Sequence, residues 1–235
     1  MLYIYGDSFS SDISLNMMGD ENSQENWWGS RLSRSLEDKL VKRALPGCSN
    51  YDILRWITED LHKFTENDTI IVGLTHPQRF LIPSKLIKSS DPEVLRRIQH
   101  NEWTEDVQPF EVQGYHIGAI AGDGESWVSK ELFNTLWDLT YKHIQPLEDD
   151  YHKYWVHTMG NLLKYIKNTS NSKVLMWCFK LWTLYPTVKE ELQGKSTDDV
   201  HWGKIGHSKF PEIVQNSIDK EIFYLTHESL NKVII

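Results

Sequence analysis

Residue types that together carry out acyl transfer lie near the two ends of this chain. Ser8 follows a short apolar run, and Asp198 precedes His201 by three residues far downstream. A serine hydroxyl is a poor nucleophile at neutral pH and needs an adjacent base. Histidine can take its proton and later return it to a leaving group. A carboxylate on the same side of a turn can orient the imidazole, so the pattern predicts a nucleophilic Ser8–His201–Asp198 site.

Two alternatives to this interpretation stay open. Asp199 is adjacent to Asp198 and is the second candidate for the carboxylate that orients His201. Residues 196–199 could also simply cap a short helix, which would leave His201 without a catalytic role. A Gly-Asp-Ser turn is itself an ordinary way to leave a strand. The catalytic interpretation is favoured because both segments are present together.

The elements that must position these residues alternate between strand and helix. Apolar runs predict strands at residues 2–5, 40–45, 68–74 and 174–179. Helical spacing predicts helices at residues 27–40, 50–64, 129–143, 147–167 and 209–220. Either Ser49 or Asn50 can cap the second of these helices. Such alternation is typical of a parallel sheet with helices on both faces, and ligands then bind at the carboxyl ends of the strands.

Three short blocks of sequence, in this order, resemble the SGNH, or GDSL, hydrolase superfamily. They are Gly6-Asp7-Ser8 for its nucleophile block, Pro46-Gly47-Cys48-Ser49-Asn50 for its glycine block, and Asp198-x-x-His201 with Gly206-His207 for its acid–base block. The abbreviated third block and the lack of a leader are also similar to SGNH-like proteins of tailed phages. We take His207 as a structural residue.

The resemblance implies an α/β fold, a three-layer α/β/α sandwich with a central, mostly parallel sheet in the SGNH/flavodoxin-like arrangement. It implies one domain over residues 1–235, with an insert at about residues 77–127. The insert and the polar residues 11–25 would build the pocket walls, since substrate choice lies in loops on such scaffolds. The tryptophans bordering these loops could stack on a sugar ring, namely Trp27, Trp103 and Trp127.

The resemblance also implies an oxyanion hole, to which Ser8 and Gly47 contribute backbone amides. The superfamily takes a third donor from an asparagine after the third strand, where this chain has Thr75. Losing one such donor can cost on the order of 100-fold in rate. The residues that could supply it are Thr75 itself, Asn50, His76 and Arg79. Arg79 also suits a carboxylate or phosphate on the substrate, or else a salt bridge to a helix acid.

The chain is therefore expected to be a serine esterase that hydrolyses an O-acyl ester, chiefly an acetyl ester, of a small molecule or carbohydrate through an acyl-enzyme. No metal and no organic cofactor is implied. Two other functions stay open: a catalytically weak or inactive binding or structural protein of the same fold, and an acyltransferase. Neither a Gly-x-Gly-x-x-Gly nor a Gly-x-Ser-x-Gly pattern occurs, which excludes a Rossmann nucleotide binder and an α/β-hydrolase.

Composition narrows the set of partners. A net charge of −8 disfavours binding to nucleic acid and to anionic membranes. No apolar stretch reaches the length of about 18 residues that a membrane span needs, and a strand at residue 2 leaves no room for a leader. We expect a cytoplasmic protein, or a virion-associated one if the phage resemblance applies; the oligomeric state stays open. Cys48 and Cys178 are expected to be buried free thiols.

Overall fold

A parallel sheet forms the centre of the fold. Its strands are β1 (Leu2–Gly6), β2 (Leu40–Ala44), β3 (Thr69–Leu74) and β6 (Lys173–Cys178), in the order β2-β1-β3-β6. The structure is a computed structural model that describes residues 1–44, 48–77, 79–83, 107–111, 142, 147–192 and 201–233. The predicted α/β class is confirmed. The finer three-layer sandwich and the extent of the domain stay predictions.

Helices connect and cover these strands. They are α1 (Ile13–Met17), α2 (Ser23–Asn26), α3 (Trp28–Leu36), α4 (Asn50–Asp60), α5 (Glu148–Ser170), α6 (Val188–Glu191), α7 (Lys204–Asp219) and α8 (His227–Val233). Short 3-10 segments occupy Ser8–Ser10, Leu61–Lys63 and Phe179–Leu184. Because each helix that follows a parallel strand begins at the carboxyl edge of the sheet, α4 begins on the same side as the ends of β1 and β3.

Alternate residues of the central strands enter two separate hydrophobic clusters. One cluster joins the strands to α3, α7 and α8, through Leu2, Ile4, Ile71, Leu175, Trp28, Phe210 and Leu230. The other joins them to α4 and α5, through Tyr3, Tyr5, Ile70, Val72, Met176, Ile57 and Met159. Burial of both faces explains why these strands are nearly continuous apolar runs in the sequence.

The first two long helices end earlier than their patterns predict. The helix predicted at residues 27–40 ends at Leu36, because Glu37 takes a left-handed conformation with φ 55° and the chain then enters β2. The helix predicted at residues 50–64 ends at Asp60 and tightens into the 3-10 segment Leu61–Lys63. In both cases the type of element is confirmed and its carboxyl boundary is wrong.

The helix predicted at residues 209–220 begins five residues earlier, at Lys204. Its first turn is capped from a distant residue, since the Glu191 carboxylate accepts from the backbone amides of Lys204 and Ile205 at 2.9 Å each. Such a cap leaves no trace in the adjacent sequence. Residues 221–235, which carried no interpretation, contribute α8 and a short parallel bridge from Tyr224 to Met176.

The buried stripe predicted on the helix of residues 147–167 is partly wrong. Burial is confirmed at Trp155, Met159 and Ile166. Leu163 completes the stripe in place of Leu162, because spacings of four, four and three residues keep one face. Tyr151, predicted to be core, is 40% exposed.

Part of the predicted insert is a separate two-stranded antiparallel sheet. It pairs β4 (Arg79–Pro83) with β5 (Val107–Glu111), and Arg79 is opposite Glu111 in the register. The rest of the insert, and all but residue 142 of the helix predicted at residues 129–143, lie outside the described residues. Across the described ranges, no helix has both the length and the apolar character needed to cross a membrane.

Candidate active site

The carboxyl edge of the sheet brings together side chains that are far apart in the sequence. Asp7 directly follows β1, and Thr75 directly follows β3. The Asp7 carboxylate is only 2% exposed, and its Oδ2 accepts from the Thr75 hydroxyl at 2.6 Å. Its Oδ1 accepts from the backbone amide of Phe9 at 3.1 Å. Asp7 therefore ties the turn that carries Ser8 to the end of the neighbouring strand.

Asn50 reaches the same point from the first turn of α4. Its Oδ1 accepts from the Thr75 backbone amide at 3.0 Å, and its Nδ2 donates to the Thr75 carbonyl at 3.1 Å. The cap of α4 is Ser49, which forms a reciprocal capping box with Asp52. The alternative in which Asn50 caps the helix is thereby wrong, and the Asn50 side chain is available to the sheet edge.

The turn that carries Ser8 is packed tightly against two glycines. It forms the 3-10 segment Ser8–Ser10, in which the Ser10 amide donates to the Asp7 carbonyl at 2.9 Å. The Ser10 side chain lies over Gly6 of β1 and Gly73 of β3, and a Cβ atom at either glycine would collide with its Oγ. Glycine is required at both positions because of this close approach.

His201 approaches the same turn from the carboxyl-terminal part of the chain. Its ring stacks on the ring of Phe9, with centroids 4.9 Å apart and planes inclined by 30°. The His201 carbonyl accepts from the Val188 amide at 2.8 Å, and the neighbouring Trp202 is buried against Phe9. The imidazole therefore contacts the residue that immediately follows Ser8.

His207 has a structural role, as expected. It is 2% exposed, and burial lowers its pKa to about 3. Its Nδ1 accepts from the Trp28 amide at 3.4 Å, so the ring proton lies on Nε2, which is 2.8 Å from the Ser14 hydroxyl. A neutral histidine with both nitrogens engaged joins α7 to α1 and α3.

The remaining predicted site residues are described in part or not at all. Gly47, Asp198 and the alternative Asp199 lie outside the described residues, and Ser8 and Arg79 are described in their backbone but not in their side chains. Their roles stay predictions. His76 follows Thr75 at the sheet edge and is partly exposed. Cys48 and Cys178 are confirmed as buried free thiols, and Cys48 donates to the Gly6 carbonyl at 3.2 Å.

Of the three tryptophans expected to stack on a sugar ring, the structure describes one, Trp27. Trp27 is 1% exposed and packs on Trp28, so its interpretation as a stacking surface is wrong; Trp103 and Trp127 lie outside the described residues. The sequence pattern did not indicate a pair of exposed tyrosines, Tyr51 and Tyr154, whose rings pack on the buried Trp155. Tyr51 lies in the first turn of α4, next to Asn50.

Comparison with protein-family models, with curated proteins and with solved structures finds no match for this chain. Fold and geometry define an α/β protein whose candidate site lies at the carboxyl edge of a parallel sheet. Membership of the SGNH superfamily stays a prediction that the sequence motifs carry.

Proposed function

We propose that this protein is a serine esterase of the SGNH type, acting on an O-acyl ester of a small molecule or carbohydrate. The observation that carries the proposal is the stacking of His201 on Phe9, because it brings a potential base to the residue after the proposed nucleophile. The two residues come from opposite ends of the chain. The packing of a half-buried imidazole against the turn that bears Ser8 has a chemical explanation if that ring serves as the base.

In this proposal, His201 takes the proton of the Ser8 hydroxyl as the oxygen attacks the ester carbonyl carbon. A tetrahedral oxyanion forms and then collapses, which breaks the bond to the alcohol; the alcohol leaves with the proton held by His201. Water then attacks the acyl-enzyme with His201 as base, releasing the carboxylic acid and restoring Ser8. Asp198 orients the imidazole and stabilises its charged form, with Asp199 as the alternative.

The oxyanion would be stabilised by backbone amides of Ser8 and Gly47 and by the side chain of Asn50. The Asn50 amide nitrogen carries two protons, and the Thr75 carbonyl accepts one of them. The second can be donated to an oxyanion. Such preorganised donors contribute about 3 kcal/mol or more to the stability of the transition state.

One observation favours the second candidate, a catalytically weak or inactive protein of the same fold. Thr75 stands in the sequence where the superfamily has its asparagine donor, and its hydroxyl donates to Asp7. If Asn50 does not replace that donor, the hole is incomplete and the protein serves as a binding or structural module.

The proposal is tested by hydrolysis of p-nitrophenyl acetate at mildly alkaline pH, where a histidine base is neutral. Wild type is compared with Ser8→Ala and His201→Gln. The matched controls are Ser208→Ala and His157→Gln, since both residues are exposed on helices and neither is a predicted site residue. In parallel, a fluorophosphonate probe labels the protein, and peptide mass spectrometry locates the adduct.

We expect turnover in wild type and both controls, loss of turnover in Ser8→Ala and His201→Gln, and an adduct on Ser8. Unchanged thermal unfolding of the variants must accompany this result. Labelling of Ser8 without turnover supports an acyltransferase that lacks its acceptor. Absence of both turnover and labelling in a folded wild type overturns the enzymatic proposal in favour of the binding module.

A further inference from the structure

We propose that Asp7 is a positioning residue, which acts through Thr75 to hold the side-chain amide of Asn50 as a donor of the oxyanion hole. This inference rests on the proposed function, because an oxyanion hole has a role only if the protein transfers acyl groups. It assigns roles to Asp7 and Thr75 that differ from those expected from the sequence, where Asp7 had none and Thr75 was a candidate donor.

A buried hydrogen bond joins Asp7 to Thr75. Asp7 is 2% exposed, and its carboxylate accepts from the Phe9 amide and from the Thr75 hydroxyl. The hydroxyl contact, at 2.6 Å, has the length typical of a hydroxyl donating to an ionised carboxylate. Inside a buried site such a charge-assisted bond is strong, so it holds the end of β3 at a defined distance from the turn that carries Ser8.

The bond to Asp7 occupies the hydroxyl proton of Thr75. A hydroxyl has a single proton, and Thr75 donates it to Asp7. While this bond exists, Thr75 cannot donate the same proton to a substrate oxygen. Its side chain therefore serves to fix its own main chain, and the donor must come from another residue.

The side chain of Asn50 is bound to the main chain of Thr75. The Thr75 peptide groups bind both ends of the Asn50 amide, at 3.0 Å to Oδ1 and 3.1 Å to Nδ2. This pair of bonds fixes the plane and the orientation of the amide, which is 1% exposed. Because Nδ2 has a second proton, a fixed amide is a preorganised donor, and preorganisation is what makes such a donor effective in catalysis.

Asn50 thereby replaces the asparagine that the superfamily places after the third strand. The replacement comes from α4 rather than β3, and its side chain is not used for capping because Ser49 caps that helix. The hydrogen bonds that join Asp7 to Thr75 and Thr75 to Asn50 connect the end of β1, the end of β3 and the start of α4. A shift in any member is expected to move the donor relative to Ser8.

The test is a double-mutant cycle with p-nitrophenyl acetate as substrate. Thr75→Val removes the hydroxyl at nearly constant volume and retains the backbone bonds to Asn50, and Asn50→Ala removes the donor. Thr75→Ser restores a hydroxyl, and Thr58→Val is the matched control, since Thr58 is exposed on α4 and bonds only within its own helix. Asp7→Asn is measured where it folds, as judged by thermal unfolding.

We expect Asn50→Ala to lower kcat on the order of 100-fold with little change in KM. Thr75→Val is expected to lower kcat about tenfold, because a displaced donor loses part of its effect, and Thr75→Ser is expected to restore most of it. Since Thr75 acts through Asn50, the double variant should be no slower than Asn50→Ala alone. Additive losses would overturn the proposal, because they would mean that Thr75 acts independently of Asn50. An unchanged kcat in Thr75→Val would overturn it as well.

A second readout does not depend on activity. In the amide NMR spectrum of ¹⁵N-labelled protein, the Asn50 side-chain NH₂ signals should shift in Thr75→Val and return towards wild type in Thr75→Ser. Unshifted signals in Thr75→Val would overturn the positioning role even if the enzyme is active. If the signals shift in Thr75→Val but the wild-type protein neither hydrolyses ester nor reacts with fluorophosphonate, the coupling between Thr75 and Asn50 is retained, and the oxyanion role is overturned together with the proposed function.

Discussion

The imidazole of His201 lies against the phenyl ring of Phe9, with ring centroids 4.9 Å apart. Phe9 is itself held in place, since its carbonyl accepts from the Trp28 indole nitrogen at 3.0 Å and the residue is 5% exposed. The rigid core therefore presents a flat apolar surface to the proposed base. The orientation of His201 depends on that surface as well as on its own backbone bond to Val188.

Replacing Phe9 with leucine is expected to lower kcat about fivefold, because the contact between stacked rings contributes about 1 kcal/mol to holding the imidazole. The apolar volume is nearly conserved, so the free energy of unfolding should fall by less than about 1.5 kcal/mol. Ester hydrolysis and urea unfolding measure the two effects. Phe64→Leu is the control, since Phe64 packs on Tyr3 in the other hydrophobic cluster. Equal kcat in wild type and Phe9→Leu would contradict the orienting role.

His207 is expected to make the protein less stable as the pH falls below 7. Burial lowers its pKa to about 3 in the folded state, so the unfolded chain, with an ordinary histidine pKa near 6.5, binds the proton first. Protonation of the unfolded state then costs about 2 kcal/mol of stability between about pH 7 and about pH 5. This contribution is present above pH ~6.5 and is lost progressively towards pH ~3.

Urea unfolding of wild type and His207→Gln at about pH 7 and about pH 5 measures this effect, in a range where carboxylates with lowered pKa stay ionised. The variant should be less stable at the higher pH, because the bonds to Ser14 and Trp28 are altered, but it should lose less stability on acidification. Burial also lowers the pKa of His152 to about 4. A part of the pH dependence of stability therefore remains in both proteins. If wild type and His207→Gln lose the same amount of stability on acidification, His207 is not the source of that loss.

Substitution by alanine should have opposite effects on the free energy of unfolding at two buried glycines, Gly73 and Gly160. At Gly73 the new Cβ would lie 2.5 Å from Ser10 Oγ and 2.9 Å from Trp177, so we expect a loss of about 1–3 kcal/mol from overpacking. At Gly160 in α5 the nearest atom would be 3.7 Å away, and the helix propensity of alanine should stabilise the protein by about 1 kcal/mol. Thermal unfolding of the two variants checks the contrast. A stable Gly73→Ala would show that Ser10 can move aside.

Loss of the distant cap on α7 should destabilise the segment that follows His201. Glu191→Gln removes the negative charge that faces the backbone amides of Lys204 and Ile205, and we expect a loss of about 1 kcal/mol. Glu66→Gln, in an exposed turn, is the control. Hydrogen exchange of the two α7 amides provides a local measurement, and unchanged protection would contradict the capping role.

The periodicity of the sequence determined the main elements of this fold. Apolar runs with turn residues at their ends identified β1, β3 and β6, since parallel strands buried on both faces are nearly continuous apolar runs. The sequence placed the cap of α4 at Ser49 or Asn50, because a cap is made between neighbours in the chain, and the structure shows that it is Ser49 with Asp52. The position of Gly6-Asp7-Ser8 at a strand end likewise follows from local sequence.

The tertiary structure alone decided which residues meet at the sheet edge. Thr75 and Asp7 are 68 residues apart, Asn50 and Thr75 are 25 apart, and His201 reaches Phe9 from the far end of the chain. The side-chain chemistry of each residue allowed several partners, so Asn50 could equally have capped a helix. Spacing encodes the face of an element on which a residue lies, whereas the partner across an interface depends on how elements from distant parts of the chain pack together.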